Sequence, residues 1–297
     1  MTDPNFLIVG AAKSGTTSLH AYLNHHPDVF LPETKEPSFF VAPEVAHRIP
    51  TWIESEADYD ALFASAGSAA ARGEASVLYL YFWRQAIPRV LKKLGSQTKI
   101  IVILRNPIDR AMSAYFDCQR FDANETLNFE EALAMEDSRV SDSTLNPMLY
   151  YKRMGLYADM VSGFQSSFDH VKVTLFEHLV RDPQSVLTEL LQFLNVSVDL
   201  LPQSDQQRMN SGGRHWGNQF LGSLVKRAVT PGVRRALSGL APGLYARLKG
   251  LAVDKLMTKA PSMSAETRSE LAQYYSSDVH RLSQLVQLDL GCWADFD

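Results

Sequence analysis

Apolar residues in this chain fall into short unbroken runs, and each run is followed by a stretch in which they recur at helical spacing. Phe6-Leu-Ile-Val9 ends at Gly10, and Lys99-Ile-Ile-Val-Ile-Leu104 ends at Arg105; Val171-Lys-Val-Thr-Leu-Phe176 is less pure but as short. Runs of this length without polar alternation mark parallel strands buried on both faces. Gly73-Glu-Ala-Ser-Val-Leu-Tyr-Leu80 is expected to be a further strand. After the first run a helix should start within Gly15 to Ser18, bury Leu19, Tyr22 and Leu23 on one face, and close at Pro27. After the second run the pattern predicts an amphipathic helix from Ile108 to Phe121. After the third, Asp182 and Pro183 supply a cap and a first-turn proline for a helix from Gln184 to Leu194. The helical period returns over 264–290, where Leu271, Tyr274, Tyr275, Val279 and Leu282 form the expected core face. Strands alternating with helices predict an α/β fold, a single domain over 1–297 with a mainly parallel central sheet flanked by helices and a helical C-terminal part. Ligands in such sheets bind outside the carboxyl ends of the strands, so the residues after each run carry the interest.

The composition narrows the classes. With 297 residues the chain can bury about three quarters of its unfolded surface and needs no disulfide or metal staple. The 33 acidic residues outnumber the 29 Lys and Arg, a net charge of −4, which excludes a wholesale nucleic-acid binder. Cys118 and Cys292 are the only cysteines, which removes disulfide frameworks, zinc ribbons and thioredoxin chemistry. The eight histidines form no H-x-x-x-H pair, so no metal site is expected; the adjacent His25 and His26 are expected to end the first helix and complement its dipole. The N-terminus lacks a signal-peptide pattern and no apolar run approaches the roughly 18 residues of a membrane span. A cytoplasmic location is the expectation.

The chemistry concentrates in two turns. Gly10-Ala-Ala-Lys13-Ser14-Gly15-Thr16-Thr17 joins a buried strand to a helix, a geometry that aims backbone N–H groups and the helix dipole at a phosphate. The glycine spacing is that of the P-loop pattern G-x-x-x-x-G-K-[ST], but Thr16 stands where the lysine belongs and Lys13 lies inside the loop. That lysine normally serves the β- and γ-phosphates of a nucleoside triphosphate. In the second turn Arg105 stands at the strand end where a metal-holding Asp would be; with Ser113 two helical turns on, it offers a guanidinium fork and a hydroxyl to a second phosphate.

A ligand with two such phosphates is 3′-phosphoadenosine 5′-phosphosulfate (PAPS), and here the sequence resembles a known family. Ile8-Val-Gly-Ala-Ala-Lys-Ser-Gly-Thr-Thr-Ser18 is similar to the 5′-phosphosulfate loop of PAPS-dependent sulfotransferases, and Leu104-Arg-Asn-Pro-Ile-Asp-Arg-Ala-Met-Ser113 to their 3′-phosphate motif. The likeness extends more weakly to Phe176-Glu-His-Leu-Val-Arg-Asp-Pro183 and the C-terminal helix, leaving about 217–261 outside it. It implies a P-loop-NTPase-like fold. It also implies that Lys13, Ser14, Gly15, Thr16, Thr17 and Ser18 hold the 5′ end of the donor, Lys13 bridging to the leaving-group oxygen. Arg105 and Ser113 would hold the 3′-phosphate, Phe176 would wall the adenine, and Gly212, Gly213 and Arg214 would close over the 3′-phosphate. Thr34-Lys-Glu-Pro-Ser-Phe-Phe40 resembles the E-x-x-F-F element of the carbohydrate-modifying branch, which makes Glu36 the base that takes the acceptor's proton. Two positions depart from the family: Ser38 stands where several relatives carry His, and Ala75 where some carry a catalytic lysine. Phe39 and Phe40 are expected to anchor the loop in the core.

The implied activity is transfer of a sulfuryl group from PAPS to a hydroxyl or amine of a carbohydrate, glycoside or glycolipid, without a metal. The competing classes are a P-loop nucleotide kinase and a non-catalytic nucleotide-binding module. Between Asp205 and Asp254 there is no acidic residue, while Arg208, Arg214, Lys226, Arg227, Arg234, Arg235, Arg247 and Lys249 lie among apolar positions spaced for short amphipathic helices. This basic helical segment is expected either to draw an anionic acceptor or membrane surface to the site, or to be a solvated basic face.

Overall fold

In the computed structural model the described residues are 3–41, 45, 47–49, 52–121, 125–199, 214–216, 257–259 and 263–296. In chain order the elements are β1 (Phe6–Gly10), α1 (Thr16–Leu23), β2 (Val29–Phe30), α2 (Glu56–Ala61), β3 (Ala71–Ala75), α3 (Leu78–Tyr81), α4 (Trp83–Leu94), β4 (Lys99–Leu104), α5 (Pro107–Phe121), α6 (Phe129–Ala134), α7 (Glu136–Ser141), α8 (Ala158–Ser167), β5 (Val171–Leu175), α9 (Phe176–Arg181), α10 (Pro183–Leu194), β6 (Arg214–Trp216), β7 (Met257–Lys259) and α11 (Ala265–Leu285).

Each apolar run becomes a strand because a continuous run can satisfy two apolar layers at once. Successive side chains point to opposite faces. Leu7 and Val9 of β1 and Ile100, Val102 and Leu104 of β4 pack into one core with α3, α4, α5, α8 and α11. Phe6 and Ile8, with Ile101 and Ile103, pack into the other with α1, α9 and α10. Five strands pair in the order β2-β3-β1-β4-β5, and every pair is parallel. A short antiparallel pair sets Arg214 opposite Lys259.

The strand order decides where a ligand can sit. After β1 the chain passes through α1 toward β2 on one side, and after β4 it passes through α5 and α8 toward β5 on the other. Neighbouring strands whose connections diverge leave a crevice at their carboxyl ends, and β1 and β4 are such neighbours.

Several expected boundaries are corrected. The first helix stops at Leu23 rather than running to Pro27. Asn24 turns the chain, its Oδ1 accepting from Leu31 N at 3.3 Å. The histidine pair follows the helix instead of ending it. His25 Nδ1 does meet the Ala21 carbonyl at 2.6 Å. His26 is buried, Nδ1 accepting from Asp28 N and Nε2 bonding to Ser197 O, so it ties the turn after α1 to the chain after α10 rather than serving the helix dipole. The strand expected over Gly73–Leu80 ends at Ala75, and Leu78, Tyr79 and Leu80 form a buried turn of helix. That turn presses on the end of β1: a Cβ on Gly10 would lie 2.7 Å from Leu80 Cβ and 2.9 Å from the Val77 carbonyl oxygen. The last helix ends at Leu285, not 290, and Tyr274 is 41% exposed while Leu271, Tyr275, Val279 and Leu282 are buried. The helices expected within 217–261 lie outside the described residues. Among the described residues no helix is long and apolar enough to cross a membrane.

Candidate active site

Four strand ends converge on the crevice. The turn after β1 folds back so that Ala11 N donates to Ile103 O of β4 at 2.7 Å. It enters α1 through Lys13 and Gly15, both in the left-handed region at φ 67° and 89°. α1 has no side-chain cap and no acidic residue in its first turn. By contrast α2, α6, α10 and α11 are capped by Ser55, Asn128, Asp182 and Ser264. As at the starts of α3, α4, α7, α8 and α9, no side chain caps the backbone N–H groups at the positive end of α1, which here faces the crevice after β1. Ser14 and Thr16 are buried, Ser18 is half-buried and Thr17 is exposed, so the turn presents hydroxyls at several depths.

The turn after β4 is fixed from three sides. Tyr157 donates its hydroxyl to Arg105 O at 3.0 Å, and Asn106 N donates to Glu177 Oε1 at 2.9 Å. Asn106 Oδ1 then accepts from Ile108 N, starting α5. The Arg105 guanidinium donates Nη1 to Lys13 O at 3.2 Å and lies over the Phe176 ring at 4.8 Å. Burial pulls its pKa down, with Asp109 and Glu177 opposing, but a guanidinium stays charged at any working pH. Phe176, at the end of β5, also closes on Gly15: a Cβ there would come within 2.7 Å of Phe176 Cδ2. Gly15→Ala is thus expected to keep the fold but cost about 1–3 kcal/mol, from the left-handed backbone and the ring it displaces, read by denaturant unfolding.

The third wall is the loop carrying Glu36. Glu36 N donates to Ala75 O at 3.0 Å, and Glu36 Oε2 accepts from Val77 N at 2.9 Å, so the carboxylate is pinned to the end of β3. Lys35 Nζ donates to Glu36 Oε1 at 3.0 Å and to Thr17 Oγ1 at 2.9 Å, joining this loop to α1. Glu36 and Ser38 both sit in the left-handed region, at φ 60° and 54°. Of the four non-glycine residues so strained among the described residues, Lys13, Glu36 and Ser38 line this one site. Such strain persists only where its surroundings over-determine it. Phe40 is buried and Phe39 stacks on Tyr59 at 4.4 Å, so both phenylalanines do anchor the loop.

The structure therefore brings together Lys13, Ser14, Gly15, Thr16, Thr17, Glu36, Arg105 and Phe176. Ser113 lies half-buried on α5, one turn before Asp117, whose Oδ1 accepts from Lys13 Nζ at 2.6 Å. Gly212 and Gly213 lie outside the described residues, as does the side chain of Arg214. Sequence reasoning missed Lys35, Asp117 and His20. Burial and Lys35 hold His20 below its ordinary pKa, so it adds no charge at neutral pH. Lys35 could have been found from its place beside Glu36 in a family loop; nothing local marks Asp117. Among the described residues no three His, Cys, Asp or Glu side chains gather as a metal site would need.

Comparison with known proteins gives the family and the fold. The family model described as the sulfotransferase domain matches residues 3–221. A crystallised sulfotransferase from Alicyclobacillus acidocaldarius is 32% identical with a TM-score of 0.75, over 99% of this chain and 100% of that one. Mouse heparan sulfate glucosamine 3-O-sulfotransferase 6 is 30% identical over 65% of this chain and 52% of its own length. Human bifunctional heparan sulfate N-deacetylase/N-sulfotransferase 3 is 25% identical over 95% of this chain, which spans 30% of that protein.

Proposed function

The chain belongs to the sulfotransferase-domain family, and on that premise we propose that it moves a sulfuryl group from PAPS to a hydroxyl or amine of a carbohydrate, glycoside or glycolipid. One observation carries the reading: the uncapped start of α1, Lys13 and Arg105 meet at the crevice between β1 and β4, and Glu36 is pinned beside them. The crevice fits the donor's two anionic ends. Gly15 keeps the first turn and Phe176 in contact, because the ring fills the space that a side chain there would take.

When bound, PAPS supplies an activated sulfuryl group. Lys13, the Gly15–Thr17 backbone and the hydroxyls of Ser14, Thr16, Thr17 and Ser18 are proposed to hold its 5′ end; Arg105 and Ser113 are proposed to hold the 3′-phosphate, with Phe176 against the adenine. Glu36 takes the proton of the acceptor, and Lys35 orients it. Preorganised charge of this kind is what group transfer through a loose transition state requires. The carbohydrate class rests on the likeness to the two heparan sulfate enzymes.

The expected result is that adenosine 3′,5′-bisphosphate raises the melting temperature with chelator present, because a ligand that binds only the folded state stabilises it. ATP with Mg²⁺ should do less. Stabilisation by ATP and Mg²⁺ alone would favour the kinase instead. A panel of glucosamine-containing oligosaccharides and glycolipids, followed by mass spectrometry for one added SO3 group, tests the acceptor.

A further inference from the structure

Behind Glu36 lies a carboxyl group that the reaction does not use. Glu74, on β3, is fully buried, on the sheet face that it shares with Tyr59, Tyr79 and Phe40. No cation pairs with it among the described residues. Hydroxyls surround it: Ser76 Oγ donates to Glu74 Oε2 at 2.9 Å, Tyr59 OH meets Oε1 at 3.4 Å, and the Tyr79 hydroxyl lies beside the carboxyl. Two of these hydroxyls face the other way as well. Ser76 Oγ accepts from Ser38 N at 3.0 Å, and Tyr79 OH accepts from Phe40 N at 3.2 Å.

The loop needs such support. Glu36 and Ser38 each hold a left-handed backbone that costs a non-glycine residue on the order of 1–2 kcal/mol, and Pro37 between them donates no hydrogen bond. The N–H groups of Ser38 and Phe40 are spent on Ser76 and Tyr79, and only a proton acceptor beneath those hydroxyls leaves their lone pairs turned toward the loop. Glu74 is that acceptor for Ser76, and it lies beside the hydroxyl of Tyr79.

We propose that Glu74 is a positioning residue, which fixes the strained loop and so the carboxylate of Glu36 through the hydroxyls of Ser76 and Tyr79. This rests on the reading of Glu36 as the base. The titratable groups facing Glu74 are Glu36 from the loop, Tyr59 from α2 and Tyr79 from α3. Burial first, and then the charge of Glu36, push the Glu74 carboxyl up to about 8, against the opposing hydroxyl hydrogen bonds. At neutral pH Glu74 therefore keeps its proton, its O–H turning to the Tyr59 oxygen at 3.4 Å while its other oxygen still accepts from Ser76, and it sets no second negative charge beside Glu36. A neutral amide can then replace it, but an apolar side chain cannot.

The test is local hydrogen exchange of the whole chain, read by mass spectrometry, in Glu74→Gln, Glu74→Leu and Tyr79→Phe. In Glu74→Leu and Tyr79→Phe the amides of 36–41 and of Val77 should exchange at least about tenfold faster, while those of β1 and β4 stay within about threefold of the parent. Glu74→Gln should restore the parent rates in the loop. If Glu74→Leu does not fold, the unbranched Glu74→Met takes its place, while Tyr79→Phe reads the hold that the Tyr79 hydroxyl has on Phe40 N. Binding of adenosine 3′,5′-bisphosphate should be unchanged in all three. Unchanged loop exchange in Tyr79→Phe, equal loosening of loop and core in Glu74→Leu, or failure of Gln to rescue would each overturn the proposal. None of those outcomes bears on whether Glu36 is the base, which Glu36→Gln turnover decides separately.

Discussion

Glu36→Gln is expected to lower turnover by about 10²-fold or more while leaving the affinity for adenosine 3′,5′-bisphosphate within about twofold. The substitution keeps the size of the side chain and the left-handed backbone at φ 60°, and its carbonyl oxygen can still accept from Val77 N, so the loop should stay in place. What it removes is the proton acceptor of the proposed reaction. It also removes one partner of Lys35, whose ammonium lies 3.0 Å from Glu36 Oε1 with both side chains about a quarter exposed, at 24% and 25%. A pair that open to solvent contributes at most about 1 kcal/mol, too little to account for a hundredfold loss by unfolding. The measurements are initial rates with the acceptor identified by mass spectrometry and a bisphosphate titration. Parent-like turnover would move the base elsewhere and break the analogy with the carbohydrate-modifying branch.

The fold was legible where one level of structure decides the outcome. β4 occupies the predicted Lys99–Leu104 because an unbroken apolar run can only be buried on both faces, and α10 starts at Pro183 because Asp182 caps it through Ser185 N. Reading failed where a neighbour decides. Leu78-Tyr-Leu80 is as apolar as a strand, but β1 ends beside it at Gly10 and offers no further ladder, so the segment coils onto that strand end. Tyr274 has the spacing of a core residue and is exposed because the neighbouring Tyr275 takes the buried place, its hydroxyl donating to Lys152 O. The turn after β1 was legible as a turn for a further reason: the glycines there are local necessities of backbone shape, Gly15 holding a φ of 89°. The partners that complete the site come from far away in sequence. Lys13 and Asp117 are 104 positions apart, and Glu74 read as one polar residue in a strand, with nothing local to show that the Glu36 loop hangs from it.

Lys13→Ala and Asp117→Asn are expected to change donor-site affinity in opposite directions. Lys13 Nζ and Asp117 Oδ1 lie 2.6 Å apart with side chains 27% and 30% exposed, so the pair itself should contribute no more than about 1 kcal/mol to stability, and neither variant should unfold the protein. In the proposed reaction Lys13 would carry the charge that meets the departing phosphate. Its loss should weaken adenosine 3′,5′-bisphosphate binding by about tenfold and lower turnover by about 10²–10³-fold, the usual loss for one preorganised stabiliser. On the same reading Asp117 would act against that ligand: its carboxylate, already paired with Lys13, would compete with the phosphate for the lysine and place a negative charge where the anion would enter. At an effective dielectric constant of about 20, unit charges some 8 Å apart repel by about 2 kcal/mol. Neutralising Asp117 should therefore tighten bisphosphate binding by about three- to tenfold at low salt. The gain should shrink as salt brings the Debye length down to about 8 Å and below. Calorimetric titration of the two variants at low and physiological salt reads both effects. Weaker binding in Asp117→Asn would show instead that the carboxylate holds Lys13 in its working position, and the residue would then belong with the supports of the donor site.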